Sequence, residues 1–342
     1  MSGQKSRTLT YIGILVIVAI VVGVIAYYLG SRQQVQAPTK LKMAVIFPGS
    51  ITDTAWNEAG YRALQAFQGK HPEIDIAWVQ GVYDPAQIES TIRSYIQQGY
   101  TLIVGVGFQF GEPIAKIANE TKQDVYFLAI AGAPQYIGPK VSVADTRTDQ
   151  AGFVAGYLMI KLSKTKNIAF VAGMAVAELA RSEIGQRNGI KYAGYDPDTV
   201  YHVYYVGDFH DVTKSKLGTL TLIDQFNVDV IKTMGDGCQL GAVSAAKEKK
   251  VYVLTSGTYH PEIYPEGTVL YEVWHWEVVF EQWYNDYLTG ALKNGGKYYW
   301  ISLNNGGIEL VRGVVPDDLW SEAQDIISKI VSGQISTGFT PT

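Results

Sequence analysis

Cysteine is almost absent: Cys238 is the single one in 342 residues. No intrachain disulfide and no Cys-x-x-Cys metal site can form from it, and beside Gly237 it reads as a small buried apolar residue. Five histidines (71, 202, 210, 260 and 275) show no His-Glu-x-x-His pattern. There is no Gly-x-Ser-x-Gly elbow, and no Gly-rich loop ending in Gly-Lys-Ser/Thr to cradle a phosphate. In VGVGFQFG, Gly105 and Gly107 lack the spacing of a dinucleotide loop. Asp208, His210 and Asp211 in GDFHD come nearest to a metal-ligand set, but they precede a helix start and read as a capped turn. A basic excess is missing too: 28 Lys and Arg against 32 Asp and Glu leave a net charge of −4, which gives no reason to expect nucleic acid. These absences argue against an enzyme and against any cofactor or metal. Asp53 as the base of a nucleoside-processing enzyme is the least favoured function.

What is present begins with a long apolar run. YIGILVIVAIVVGVIAYYL, residues 11–29, holds nineteen uncharged residues, enough to span a bilayer as a helix. Lys5 and Arg7 precede it and tyrosines stand at both ends, where membrane interfaces favour them. A cleaved signal peptide has a shorter core and small residues at its cut site. The segment therefore reads as an uncleaved anchor with residues 1–10 inside, 30–40 as a polar linker, and the rest outside the cell membrane.

From residue 41 on, short apolar runs alternate with helical patterns. KMAVIF, IDIAWV, TLIVGVG, DVYFLAIAG and KVSVAD read as strands, and their continuous rather than alternating apolarity implies a parallel sheet covered on both faces. After the helix TDQAGFVAGYLMIKL the pattern restarts with NIAFVAG, VYHVYYVG, VDVIKTMG and VYVLTSG. The chain is thus an α/β protein of two doubly wound halves, with TVLYEVW, KYYWISL and GIELVRG as late strands. Aromatic residues are abundant, 23 Tyr, 11 Phe and 7 Trp; most serve the core, and those in a cleft can stack on a ligand.

In open α/β sheets ligands bind beyond the carboxyl ends of the strands. Five exits are equipped: Asp53, Trp56 and Asn57 after the first strand; Phe108 after Gly107; Asp145 in VADTRTDQ; Asp236 between two glycines; and Ser256, Gly257 and Tyr259 in LTSGTYH. Asp53 serves equally well as a helix cap, Trp56 as core, and Asp236 as a turn residue. Several acceptors and several rings on one side of two sheets together suit a flat, nitrogen-rich ligand.

The order of these motifs resembles the basic membrane protein family of ABC-transporter solute-binding proteins, which includes purine nucleoside receptors. The likeness runs from about Lys42 to Gly313. It rests on Asp53-Thr54-Ala55-Trp56-Asn57 after the first strand, Gly107-Phe108-Gln109-Phe110 after the third, Gln150 through Gly156, the set Tyr205, Gly207, Phe209 and Asp211, and Gly306-Gly307-Ile308. It implies a type I periplasmic-binding-protein fold over 41–335: two hinged lobes joined by three crossings, expected here as 41–148 with 255–290 and 149–254 with 297–335. It implies a monomer that closes on a purine base or nucleoside and delivers it to ABC permease subunits. Trp56 would stack the base, Asp53 and Asn57 would bond its edge, and Phe108, Asp145, Asp236, Gly257 and Trp274 complete the expected site. The family's ribose-holding Asp falls here at Gly257 and its Lys near His275, so both ribose contacts are absent; Trp274, His275 and Trp276 resemble the aromatic variation suited to a free nucleobase. A receptor signalling through a partner is the alternative, although MSGQKSRTLT is too short for a kinase or methyl-accepting region. A DNA-binding regulator is set aside because no helix-turn-helix precedes the domain.

Overall fold

The computed structural model describes residues 18–22 and 40–341. Residues 18–22 are helical; the rest of the expected 11–29 anchor lies outside the described residues, as do residues 1–10 and most of the linker. Among the described residues no helix is long and apolar enough to cross a membrane.

Leu41–Thr342 forms one compact unit built on two six-stranded sheets. The first half runs β1 (Lys42–Ile46), α1 (Trp56–Lys70), β2 (Asp75–Val79), α2 (Pro85–Gln97), β3 (Leu102–Val106), α3 (Gly111–Glu120), β4 (Tyr126–Ile130) and β5 (Val141–Thr146). The second runs α4 (Thr148–Leu162), β6 (Ile168–Ala172), α5 (Ala177–Tyr192), α6 (Pro197–Val200), β7 (Tyr201–Tyr205), α7 (Val212–Phe226), β8 (Val230–Met234), α8 (Cys238–Lys249), β9 (Tyr252–Gly257) and β10 (Thr268–Trp274). The tail adds α9 (Glu277–Leu288), β11 (Tyr298–Ile301), β12 (Ile308–Arg312) and α10 (Asp317–Val331).

The continuous apolarity of β1 has the cause expected of it. Met43, Val45 and Phe47 pack with Ala59, Ala63 and Phe67 of α1 on one face. Ala44 and Ile46 meet Ile88, Ile92 and Ile96 of α2 on the other. β6 repeats the arrangement, sending Ile168 and Phe170 to the central core and Ala169 and Val171 toward α7 and α8. Burying one such aliphatic side chain stabilises the fold by roughly 1.5–3 kcal/mol, so both faces of each sheet reinforce the strand pattern.

Sheet one is ordered β11-β5-β4-β3-β1-β2 and sheet two β12-β10-β9-β8-β6-β7. All pairings are parallel except β10–β12. The chain therefore crosses between lobes three times: after β5, between β10 and α9, and between β11 and β12. This corrects the expected lobe boundaries. Residues 255–274 belong to the second sheet, because β9 pairs with β8 and β10 with β9. Residues 298–301 belong to the first, because β11 pairs with β5.

Helices α4 and α5 approach unusually closely. Gly152 and Gly156 face the α5 backbone, while Gly185 and Gly189 face the α4 backbone, and a Cβ at any of the four would collide with a carbonyl. That contact fixes the start of α5 at the mouth between the lobes. The tail past α10 returns to the same region. The Thr337 hydroxyl donates to Asp149, Asn188 Nδ2 donates to the Thr337 carbonyl at 2.9 Å, and Phe339 packs on Trp300 at 5.8 Å and on the guanidinium groups of Arg147 and Arg181.

Candidate functional site

A narrow cavity of about 30 Å³ opens between the lobes where strands of both sheets end. Lobe one supplies Pro48 after β1, Tyr83 after β2, Gly107, Phe108 and Gln109 after β3, and Trp56 from the first turn of α1; lobe two supplies Glu178 and Leu179 from α5, Phe209 after β7, Met234, Gly235 and Asp236 at the end of β8, and Trp274 at the end of β10.

The rings are held in fixed orientations. Trp56 donates its indole N–H to the Val106 carbonyl at 3.2 Å and meets Trp274 and Trp276 edge-on at 5.6 and 5.3 Å. Trp274 donates to Glu272 Oε1 at 2.9 Å. Glu272 is in turn paired at 2.8 Å with Lys232, both side chains being fully buried. Phe108 of one lobe faces Phe209 of the other at 6.2 Å with their planes inclined by 41°. Gln109 contributes a buried Nε2 that has no partner.

Of the eight residues singled out from the sequence, four line this cavity: Trp56, Phe108, Asp236 and Trp274. The other four are placed elsewhere. Asp53 accepts four hydrogen bonds, from the backbone N–H groups of Ala55, Asn57 and Glu58 and from Asn57 Nδ2 at 2.6–3.0 Å. Its lone pairs are occupied, so it acts as the cap of α1. Asn57 is fully buried behind the wall, where its amide accepts from Gly49 N–H at 3.0 Å and donates to Asp53 and, at 3.3 Å, to Asp236. Gly257 has φ of +105° and its missing Cβ would lie 2.5 Å from Ala55 Cα. It permits close approach of the lobes and does not line this cavity. Asp145 lines an adjoining cleft that shares Phe108 and Glu178 with this cavity, ion-paired with Arg181 and accepting from the Tyr298 hydroxyl at 3.3 Å.

Sequence reasoning missed Glu178, Tyr83, Phe209, Gln109, Leu179 and Met234. Glu178 stands in the first turn of α5, where the helix dipole favours a carboxylate, yet burial and then Asp145 push its pKa up to about 7, against its own backbone N–H and Arg181. Asp236 is held well above the usual carboxylate range, by burial first and then by Asp53 and Glu178, with the Asn57 hydrogen bond opposing. The Cys238 thiol is pushed up to about 12 by burial and then Asp236, which makes it inert, as its neighbours in sequence suggest. Among the described residues no group of His, Cys, Asp and Glu could hold a metal. The arrangement gathers rings of both lobes and two carboxyl groups around one narrow cavity; among the described residues no nucleophile is paired with a base there.

A family model described as Bmp, ABC transporter substrate-binding protein PnrA-like, matches residues 40–339. The chain belongs to that family. Among Bmp-like relatives, Transcriptional activator protein med of Bacillus subtilis (strain 168) is 25% identical over 306 residues, spanning 88% of this chain and 90% of that one. Basic membrane protein D of Borreliella burgdorferi (strain JD1) is 24% identical over 293 residues, 84% of this chain and 82% of its own. A crystal structure of ABC transporter system solute-binding proteins from Aeropyrum pernix K1 superposes with a TM-score of 0.74 at 20% identity, covering 86% of this chain and 92% of the other. That likeness speaks for the fold: two α/β lobes of the periplasmic-binding-protein kind.

Proposed function

We propose that this Bmp-family solute-binding protein captures a purine nucleobase or nucleoside between its lobes and passes it to ABC permease subunits. In this reading the 11–29 segment anchors it and the binding unit faces outward. The observation that carries the proposal is the cavity at the strand ends of both sheets, with rings from each lobe facing across it and two carboxyl groups at its edge. Aromatic faces bind planar rings, and carboxyl groups bond the N–H edges of a base. Trp56, Phe108, Phe209 and Trp274 would stack the guest and Asp236 would read its edge, while Asp53 and Asn57 set the position of Asp236. Titrating bases, nucleosides, sugars and amino acids while following melting temperature and tryptophan fluorescence tests this. Stabilisation by a ligand grows as RT ln(1 + [L]/Kd), about 2.7 kcal/mol at a hundredfold excess over Kd; a response to sugars or amino acids without one to purines overturns the ligand assignment.

A second reading, a receptor whose closure is sensed by a partner, draws on the relative named a transcriptional activator. Deleting the partner permease separates the two: transport of ligand stops in the first case, and ligand-dependent gene expression continues in the second.

A further inference from the structure

Six carboxylate side chains are buried among the described residues: Asp53, Asp145, Asp149, Glu178, Asp236 and Glu272. Four have their charge answered within the protein. Asp53 takes four hydrogen bonds, Asp145 is paired with Arg181, Asp149 with Arg147 at 2.7 Å, and Glu272 with Lys232. The remaining two, Glu178 at 4% exposure and Asp236 at 7%, both face the cavity. The Glu178 carboxyl takes no hydrogen bond from any other described residue, and Asp236 takes one, from the neutral Asn57 amide.

Among the described residues no Lys, Arg or His lines the cavity, although Glu178 also borders the adjoining cleft that Arg181 lines. The nearby cations are engaged or outside it: Arg181 also donates to the Thr146 carbonyl at 3.2 Å, Lys232 is bound to Glu272, Ser256 and the Thr255 carbonyl, and the half-exposed His210 stands 3.9 Å from Asp236. The rest of the wall is aromatic, and ring faces attract cations. Carboxylates buried without a counter-charge are costly, and the fold leaves this pair unanswered only where a guest enters.

We propose that the cleft selects a positively charged planar heteroaromatic, such as a pyridinium, a thiazolium or an N7-alkylated purine. This rests on the reading of the cavity as the ligand site and adds the charge of the guest. Such a cation supplies the counter-charge that Glu178 and Asp236 lack, and its ring lies against Phe108, Phe209 and Trp56. The unpartnered Gln109 Nε2 gives it one donor, so the guest also carries a carbonyl or amide acceptor.

The test is calorimetric titration of the full chain with two isosteres, 1-methylnicotinamide (cationic) and nicotinamide (neutral), beside the neutral purines hypoxanthine and adenosine. The expected result is at least tenfold tighter binding of 1-methylnicotinamide than of nicotinamide. Glu178→Gln and Asp236→Asn, each checked for an unchanged fold by circular dichroism, should each shrink that ratio toward one. If purines bind and the cation holds no advantage, the charge inference is overturned and the purine reading stands. If the cation binds and neutral purines do not, the inference stands and the purine reading falls. Equal binding of both isosteres, undiminished in the two variants, also overturns it, as does the absence of binding by all four.

Discussion

Each lobe brings an aspartate to the meeting point, and the two are treated in opposite ways. Asp53 of the first lobe is surrounded by four donors and ends as the cap of α1. Asp236 of the second, linked to it through Asn57, is left with one neutral partner at the cavity wall. The first lobe thus presents mainly neutral surfaces, rings and the Gln109 amide, while the second presents the acids. A carboxylate is available to a ligand only where the backbone has not already consumed it, and only one of the two lobes leaves any.

The largest test of this asymmetry concerns the second lobe's paired acid. Lys232→Met strands Glu272 without its cation, and breaking a buried pair costs about 3–5 kcal/mol. Denaturant unfolding should show that loss, with much of it recovered in Lys232→Met/Glu272→Leu.

Next comes the unpaired acid. Because the pKa of Glu178 is raised from 4.5 to about 7, the folded state holds the proton more tightly than the unfolded chain. Its contribution is full below pH 4.5 and is lost as pH rises through 7. At about 1.4 kcal/mol per pH unit of displacement this is on the order of 3 kcal/mol. The unliganded protein should therefore lose stability between about pH 4.5 and 7 and level off above that, and Glu178→Gln should flatten that slope in thermal melts.

The direct contrast is smaller. Asp53→Asn removes part of a cap and should cost about 1–2 kcal/mol, whereas Asp236→Asn at pH 8 should leave stability unchanged or raise it. Equal losses from the two substitutions would dissolve the distinction between them. Smallest is the ring at the mouth: Phe108→Ala should weaken ligand by roughly 0.5–1.5 kcal/mol, or about two- to twelvefold.

All twelve strands are legible in the sequence, because helices cover both faces of each sheet and leave runs such as LIVGV and IAFVA without polar interruption. Which sheet a late strand joins is not legible. TVLYEVW and KYYWI look alike locally, and their separation into different sheets is decided by partners over a hundred residues away for one and by an adjacent strand for the other. The strand-exit rule singled out Trp56, Phe108 and Asp236, which line the cavity, and the family resemblance supplied Trp274. It missed Glu178 because the β6 exit, GMAVAEL, carries no acid until the helix has begun, and an acid there looks like an ordinary first-turn residue. Phe209 was hidden in GDFHD, where the polar residues around it read as a turn. The competition between capping and binding at Asp53 is open in sequence; in the structure four donors fall on its carboxylate.

The last residues carry a practical consequence. Phe339 touches Trp300 of the first sheet and Arg181 of α5, so the carboxyl end of the chain sits on the joint itself. A fluorescent reporter spliced on immediately after it would sense any change in the contact of Phe339 with Trp300 and Arg181.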